Sequence, residues 1–311
     1  MEFVHKPIML TQCLEALNIK KDGIYVDGTV GGAGHSSKIA ELLDYKKGGR
    51  LICLDRDPDA YKTATERLSK YAAASVLNRN YSELANVLSE LNINKIDGIL
   101  LDLGVSSFQL DCAERGFSYR NDAPLDMRMS KSGISAKDVV NTYSEQQLSK
   151  IIFDYSEEKF ARKIAAAIVK ARELKPIETT FELAEIIKSA VPAAARKEKN
   201  PSKRTFQAIR IEVNGELEHL RKILDDLFEC LEVGGRIAII TFHSLEDKIV
   251  KAKFKELCEG CTCPKDFPIC VCGKTPRAKM KPSKAIVADE SEREENPRSK
   301  SAKLRVLERI K

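Results

Sequence analysis

The sequence predicts an α/β fold: a Rossmann-like, doubly wound parallel sheet interrupted by a helical insertion. Three observations predict it. Short apolar runs alternate with helix-like segments through the first hundred residues. Three of those runs end on an aspartate, at Asp27, Asp55 and Asp102. The alternation stops near Ser106 and resumes only near Thr205. Strand, turn, helix, strand at this rhythm is the pattern of parallel βαβ units.

Taken in order, Gly23–Val26 is the first strand, ending at Asp27 and a glycine-rich turn, and Ser36–Leu43 is a helix with Ser36 or Ser37 as N-cap. Arg50–Leu54 is the second strand, and Pro58 opens a helix reaching about Tyr71, since proline suits a first turn. Ala74–Leu77 is a brief strand, Glu83–Leu91 a helix and Ile96–Leu101 a fully apolar strand ending at Asp102. Ser106–Met129 is polar and rich in turn residues, and helical patterns follow at about 135–152, 157–173 and 179–190. One long helix over about 205–231, ended by Gly234 and Gly235, precedes the apolar strand Arg236–Thr241. A helix over Leu245–Leu257, a cysteine-rich loop, a basic loop and a last strand over Leu304–Ile310 complete the chain. The α/β domain is therefore read as 1–105 with 205–311, and the helical insertion as 106–204.

A chain of 311 residues with 43% hydrophobic and 32% charged residues has the balance of an ordinary globular protein. No run approaches the ~20 apolar residues of a membrane span, and Met1–Leu10 lacks a signal-peptide layout. A cytoplasmic protein without a membrane partner is the expectation. The net charge of +6 is mild, but it is clustered. Arg196–Arg204 holds five basic residues, and Gly273–Lys284 carries Lys274, Arg277, Lys279, Lys281 and Lys284 with no acid. Such clusters point weakly to nucleic acid, and equally to solvated loops.

The sharpest local signal is Tyr25–His35, YVDGTVGGAGH, with four glycines between a strand and a helix. Such a turn lets backbone approach a ligand and aims helix N-terminal amides at it. Asp55, 28 residues beyond Asp27, ends the next strand, where a carboxylate meets ribose hydroxyls in a doubly wound fold. An adenosine-bearing cofactor follows. The dinucleotide fingerprint fails because Ser37 stands where a third glycine is needed after Gly32 and Gly34, and no G-K-[ST] follows for a phosphate loop. Asp27 is misplaced beside a pyrophosphate but suits the cationic amino group of S-adenosylmethionine. Asp102, at the end of a central strand, faces the ligand crevice or serves as a turn aspartate; Ser106 and Gln109 on the following loop are candidates to line the same crevice.

Nine cysteines without a secretory signal suggest reduced thiols rather than a disulfide frame. Five of them, Cys258, Cys261, Cys263, Cys270 and Cys272, crowd into fifteen residues. Cys261, Cys263, Cys270 and Cys272 supply the four soft ligands of a structural zinc, or else are reduced cysteines in a loop.

At this point the residues carry a resemblance spanning nearly the whole chain. HKPIML, YVDGTVGGAGHS, CLDRDPDA, DGILLDLGVSSFQLDCAERGFSYRNDAPLDMRM, EEKFARKIAAAIV, RTFQAIRIEVNGELEHL, ITFHSLEDKIVK and ENPRSKSAKLRVLER together resemble the ribosomal RNA small subunit methyltransferase H family (RsmH, or MraW). The resemblance implies a class I methyltransferase sheet split by a helical substrate domain, and S-adenosylmethionine-dependent methylation of N4 of a cytidine in the decoding region of 16S rRNA. It implies donor binding by Ala33, Gly34, His35, Asp55, Tyr81, Asp102 and Gln109. Tyr81 stands where the family usually has another aromatic, often phenylalanine. The implied partner is 16S rRNA in the small ribosomal subunit, and the sequence admits a homodimer.

The exocyclic amine of cytosine is a poor nucleophile, so such an enzyme must position it and accept its hydrogen bonds. Asp102, or Val105–Ser107 with the Ser106 hydroxyl, is the expected acceptor. An unpaired or flipped base is required, with Phe108, Phe117 and Tyr119 as stacking candidates and Arg115, Arg120 and Arg128 for phosphates. Each aromatic is at least as well read as packing under its loop. His243 touches RNA or merely orients its loop, where Ser244 as N-cap and Asp247 at the third helical position is plain local structure. Two alternatives stand beside the methyltransferase: an NAD-linked oxidoreductase, and a non-catalytic RNA-binding or ribosome-assembly factor on the same fold.

Overall fold

The computed structural model describes residues 7–194, 200–264, 269 and 271–311. They form two compact units, one comprising the chain up to Gly104 with Leu217–Lys311, the other Val105–Glu216.

The first unit is built on a mixed sheet. Strands β1 (Ile24–Asp27), β2 (Arg50–Leu54), β3 (Ala74–Leu77), β4 (Ile96–Asp102) and β5 (Leu231–Thr241) are joined by β6 (Ala278–Met280), β7 (Ile286–Val287) and β8 (Lys303–Arg309). Their order is β3-β2-β1-β4-β5-β8-β6, with β7 also on β8; β1 to β5 pair in parallel and β8 runs antiparallel to β5. This is the Rossmann-like sheet expected from the apolar runs. Side chains alternate between two cores. Val26, Ile52, Leu54, Ile99 and Leu101 lie in one, while Tyr25, Leu51, Cys53, Leu100 and Ile240 lie in the other. Burial of both faces is why these strands read as continuous apolar runs.

Helices α1 (Leu10–Leu17), α2 (Gly34–Leu42) and α3 (Pro58–Leu68) contribute to the second core, and α4 (Leu84–Glu90) to the first. In the other unit lie α5 (Ser107–Asp111), α6 (Ala136–Thr142), α7 (Glu145–Ser156), α8 (Ala161–Leu174), α9 (Thr180–Ala190) and α10 (Ser202–Asn214), around a core that includes Ile152, Ile164, Ile168, Ile187 and Phe206. Then come α11 (Glu216–Cys230), α12 (Ser244–Cys258) and α13 (Glu290–Glu295). No described helix is long and apolar enough to cross a membrane.

Several expected elements differ from those observed. The single helix expected over 205–231 is two, α10 and α11, because Gly215 takes the left-handed conformation (φ 56°) and its amide caps the end of α10. The second unit boundary accordingly falls at Glu216, not at 204. The pattern over 135–152 is broken in the same way, since Ser144 starts a fresh helix by a capping box with Gln147. Strand β5 begins at Leu231, five residues before the apolar run, and its register on β4 shifts across the glycine pair.

The antiparallel end of the sheet is tied by one buried carboxylate. Glu308 on β8 accepts from Arg236 at 3.0 Å, Lys279 at 2.8 Å and Lys281 at 2.7 Å. Arg277 pairs with Glu229. Much of the basic loop is thus committed to ion pairs within the unit. Burial pushes the Glu308 carboxyl up, but the three cations outweigh it and hold it down at about 2. A depressed carboxylate stabilises the fold above its unfolded value near 4.3, and that contribution disappears as pH falls toward 2. Glu308→Gln is expected to lose about 1–3 kcal/mol at pH 7 by urea unfolding, with the deficit shrinking below pH 4 as the wild-type carboxyl protonates in the unfolded chain.

Candidate functional site

Because β1 lies between β2 and β4 and all three are parallel, their carboxyl ends bring Asp27, Asp55 and Asp102 to one edge of the sheet. The chain winds outward from β1 through β2 to β3, then returns to place β4 on the other side of β1. The crevice between β1 and β4 is therefore the topological switch point, where open α/β sheets bind ligands.

The glycine turn is stitched to both neighbouring strands. The Gly28 amide donates to the Leu100 carbonyl at 2.9 Å and the Val30 amide to the Leu54 carbonyl at 3.0 Å. A Cβ on Gly28 would lie 2.4 Å from Leu101 Cδ2 and 3.0 Å from Tyr81 Cβ, so only glycine lets the turn sit this close. Helix α2 starts after Ala33, which adopts the left-handed conformation (φ 61°) and provides no side-chain cap. The expected cap, Ser36, is wholly buried inside α2 and does other work. The opening amides of α2 thus lack a capping side chain next to the crevice.

Four carboxyl groups converge here. Asp27 accepts from Ser36 Oγ at 2.5 Å and from the Thr29 amide at 3.1 Å, while Cys53 Sγ donates to Ser36 Oγ at 3.3 Å. Asp55 accepts from the Gly31 amide at 2.9 Å and the Asp57 amide at 2.9 Å, so it braces the turn as well as facing the edge. Burial pushes both carboxyls up to about 6 against these bonds. Asp102 is held by its own amide, which donates to Thr29 Oγ1 at 2.7 Å. Its Oδ1 is shielded from solvent with no hydrogen-bond partner. Burial, then the charges of Asp27 and Glu246, push Asp102 up to about 8. The first unit therefore concentrates acidic groups at the switch point, one of them unsatisfied.

Gly32 contributes its carbonyl to Arg67 Nη1 at 2.7 Å, which anchors the turn on α3. Gly34 packs against Pro7. His35 is buried, and its Nε2 lies 2.9 Å from the Ile8 carbonyl; an oxygen can only accept, so Nε2 carries the proton. Burial lowers His35 to about 4, so it is neutral and pins the N-terminal segment. Tyr81 begins a single helical turn beside Gly28.

Ser106 and Gln109 belong to the other unit, where they form the capping box of α5. In the same unit Arg115 is buried and donates to the Arg128 and Met129 carbonyls at 2.9 and 3.0 Å, Phe117 is part of the core, and Arg128 is paired with Asp126 at 2.6 Å. Burial commits Arg115 and Phe117 to holding the polar loop together, which corrects their expected roles as RNA contacts. Tyr119 packs edge-on against Phe206. Asn214 clamps the loop by donating to the Met127 carbonyl at 2.7 Å and accepting from the Met129 amide at 2.9 Å. The long polar block is thus a folded loop held by contacts of its own Arg115 and Asp126 and by Asn214.

At the head of α12 the cap is His243, not Ser244, and the third helical residue is Glu246, not Asp247. Asp247 instead binds Arg305 at 2.6 Å. Glu246 is buried and accepts from the Phe242 amide at 2.8 Å. Glu246, Thr29 and Ser36 are the site residues that sequence reading missed. TFHSLE does carry a capping-box signal, but serine competes with histidine as the cap and shifts the frame by one. Of the cysteine set, Cys261, Cys263 and Cys272 come together, while Cys270 lies outside the described residues.

Residues 2–310 match the model of the MraW methylase family. A ribosomal RNA small subunit methyltransferase H of Lachnospira eligens is 56% identical over 313 residues, covering 100% of this chain and 99% of its own. Its counterpart in Clostridium botulinum (strain Kyoto) is 54% identical over 311 residues, covering 100% of both. Among solved structures, an rRNA methylase from Streptococcus thermophilus covers 100% of both chains at 13% identity and a TM-score of 0.40.

A carboxyl raised to about 8 in the fold, against an ordinary value near 3.9, binds protons more tightly folded than unfolded, so it destabilises the fold increasingly as pH rises from about 4 to about 8. Asp102→Asn is therefore expected to unfold at a higher temperature than wild type in the absence of ligand. The gain should be at least about 3 °C at pH 8 and should narrow toward pH 5. Equal melting temperatures across that range, read by circular dichroism, would show that Asp102 is not held in an unfavourable environment.

Proposed function

The chain belongs to the MraW methylase family, and we propose that it transfers a methyl group from S-adenosylmethionine to N4 of a cytidine in the decoding region of 16S rRNA. The observation that carries this reading is the acidic switch point, where Asp102 Oδ1 is shielded and without a partner. A buried acceptor beside other carboxyls is complementary to a cationic ligand and adverse to a pyrophosphate.

When bound, S-adenosylmethionine supplies an electrophilic sulfonium methyl. The residues to hold it are the uncapped turn Gly32–His35, Asp55 for the ribose hydroxyls, and the Tyr81 ring for the adenine. Asp55 already accepts two backbone amides, one on each oxygen, and each oxygen retains a second lone pair. Asp27 acts from behind, fixing Ser36 and Thr29 so that the turn keeps its shape.

Asp102 has two tasks. A positive ligand draws it into its ionised form, and the carboxylate then accepts a hydrogen bond from the cytosine amine. That bond localises the nitrogen lone pair and fixes its direction. A strong base is unnecessary, because the amine proton becomes acidic as the new carbon–nitrogen bond forms. The oxidoreductase alternative loses its footing with the family assignment. A non-catalytic assembly factor is the reading that the following assay separates.

Incubation with small-subunit rRNA or subunits lacking the mark, and labelled donor, is expected to yield N4-methylcytidine on nucleoside mass analysis. Asp102→Ala should lower kcat/KM by about 100-fold or more. Donor binding without any methyl incorporation on either substrate form would favour the assembly factor.

A further inference from the structure

The cysteine-rich connection between α12 and β6 is not used by the proposed chemistry. Its base is closed: the Arg277 amide donates to the Leu257 carbonyl at 3.0 Å, and Gly260 lies against Pro276, whose Cδ would be 3.1 Å from a Cβ there. Immediately beyond that base, the sulfurs of Cys261, Cys263 and Cys272 all fall within 4.8 Å of one another.

Two independent features distinguish this group from thiols that merely share a loop. The first is spacing. Cys261 and Cys272 sulfurs are 3.7 Å apart. Tetrahedral zinc with Zn–S near 2.3 Å sets neighbouring sulfurs about 3.8 Å apart, whereas a disulfide holds them at about 2.05 Å. The second is hydrogen bonding. Backbone amides are directed at every sulfur: Thr262 to Cys272, Cys263 to Cys261 and Val271 to Cys263, each at 3.4 Å. These amides fix the direction in which each sulfur points.

We infer that Cys261, Cys263 and Cys272 are thiolate ligands of a structural zinc ion that folds this connection. The three lose their protons on binding, and zinc undergoes no redox change. A tetrahedral site takes one further ligand beside these three. The ion would staple a loop that joins α12 to the basic strand β6, and it is remote in role from methyl transfer.

The test uses the full untagged chain purified in reducing buffer without chelator. Elemental analysis should find close to one equivalent of zinc. Replacement by cobalt should produce sulfur-to-metal charge-transfer absorption. Cys261→Ser and Cys272→Ser should each cut zinc content at least fivefold while the circular dichroism of the α/β sheet is kept. Under a tenth of an equivalent of zinc in the wild-type protein, with these thiols freely titratable, would overturn the inference. So would zinc retained in both variants. The wild-type measurement decides the matter even if a variant fails to fold.

Discussion

The structure turns on an electrostatic imbalance: carboxyl groups gathered at the tips of adjacent strands, pushed up by burial, with Asp55 and Asp102 raised further by neighbouring carboxylates. Parallel pairing of β2, β1 and β4 makes the gathering unavoidable once each strand ends on an aspartate. Asp27 and Asp55 are kept in place by hydrogen bonds from Ser36, Thr29, Gly31 and Asp57. Asp102 Oδ1 has no such bond. A fold optimised for stability alone would not keep it. A site awaiting a positively charged ligand would, since the missing interaction is supplied on binding.

The glycine turn and the carboxyls form one device. Thr29 illustrates it, with its amide on Asp27 and its hydroxyl on the Asp102 amide, so that a single turn residue sets the spacing between two strand tips. His35, at the head of α2, is neutral and spent on the Ile8 carbonyl. Its part is to secure the turn from the N-terminal side rather than to move protons. In the helical unit the same economy holds: Arg115 and Asn214 satisfy carbonyls of the polar loop, which has little regular structure of its own to do so.

Much of this was legible in the sequence because parallel strands buried on both faces leave uninterrupted apolar runs, as Ile96–Leu101 does. The turn was legible because only glycine tolerates its close approach to Leu101 and Tyr81. What escaped were features set by competition. Gly215 lies inside an otherwise helical pattern, and only its left-handed backbone shows that one helix is two. Ser36 carries an N-cap residue type but is drawn inward by Asp27, leaving Ala33 at the cap. Glu246 was hidden by a one-residue shift in capping frame. Arg115 and Phe117 look like RNA contacts by type, and tertiary packing claims them. Residue type names the chemistry available; only the fold decides where it is spent.

If the acidic switch point is built to receive a cation, the arrival of that cation must expel a proton. Calorimetric titration with S-adenosylmethionine at pH 6.5, in buffers of differing ionisation enthalpy, measures protons exchanged on binding. Asp102 raised to about 8 is almost fully protonated at that pH. Release of roughly one proton per donor bound is expected, abolished in Asp102→Asn. No net release by wild type, or the same release by the variant, would contradict it.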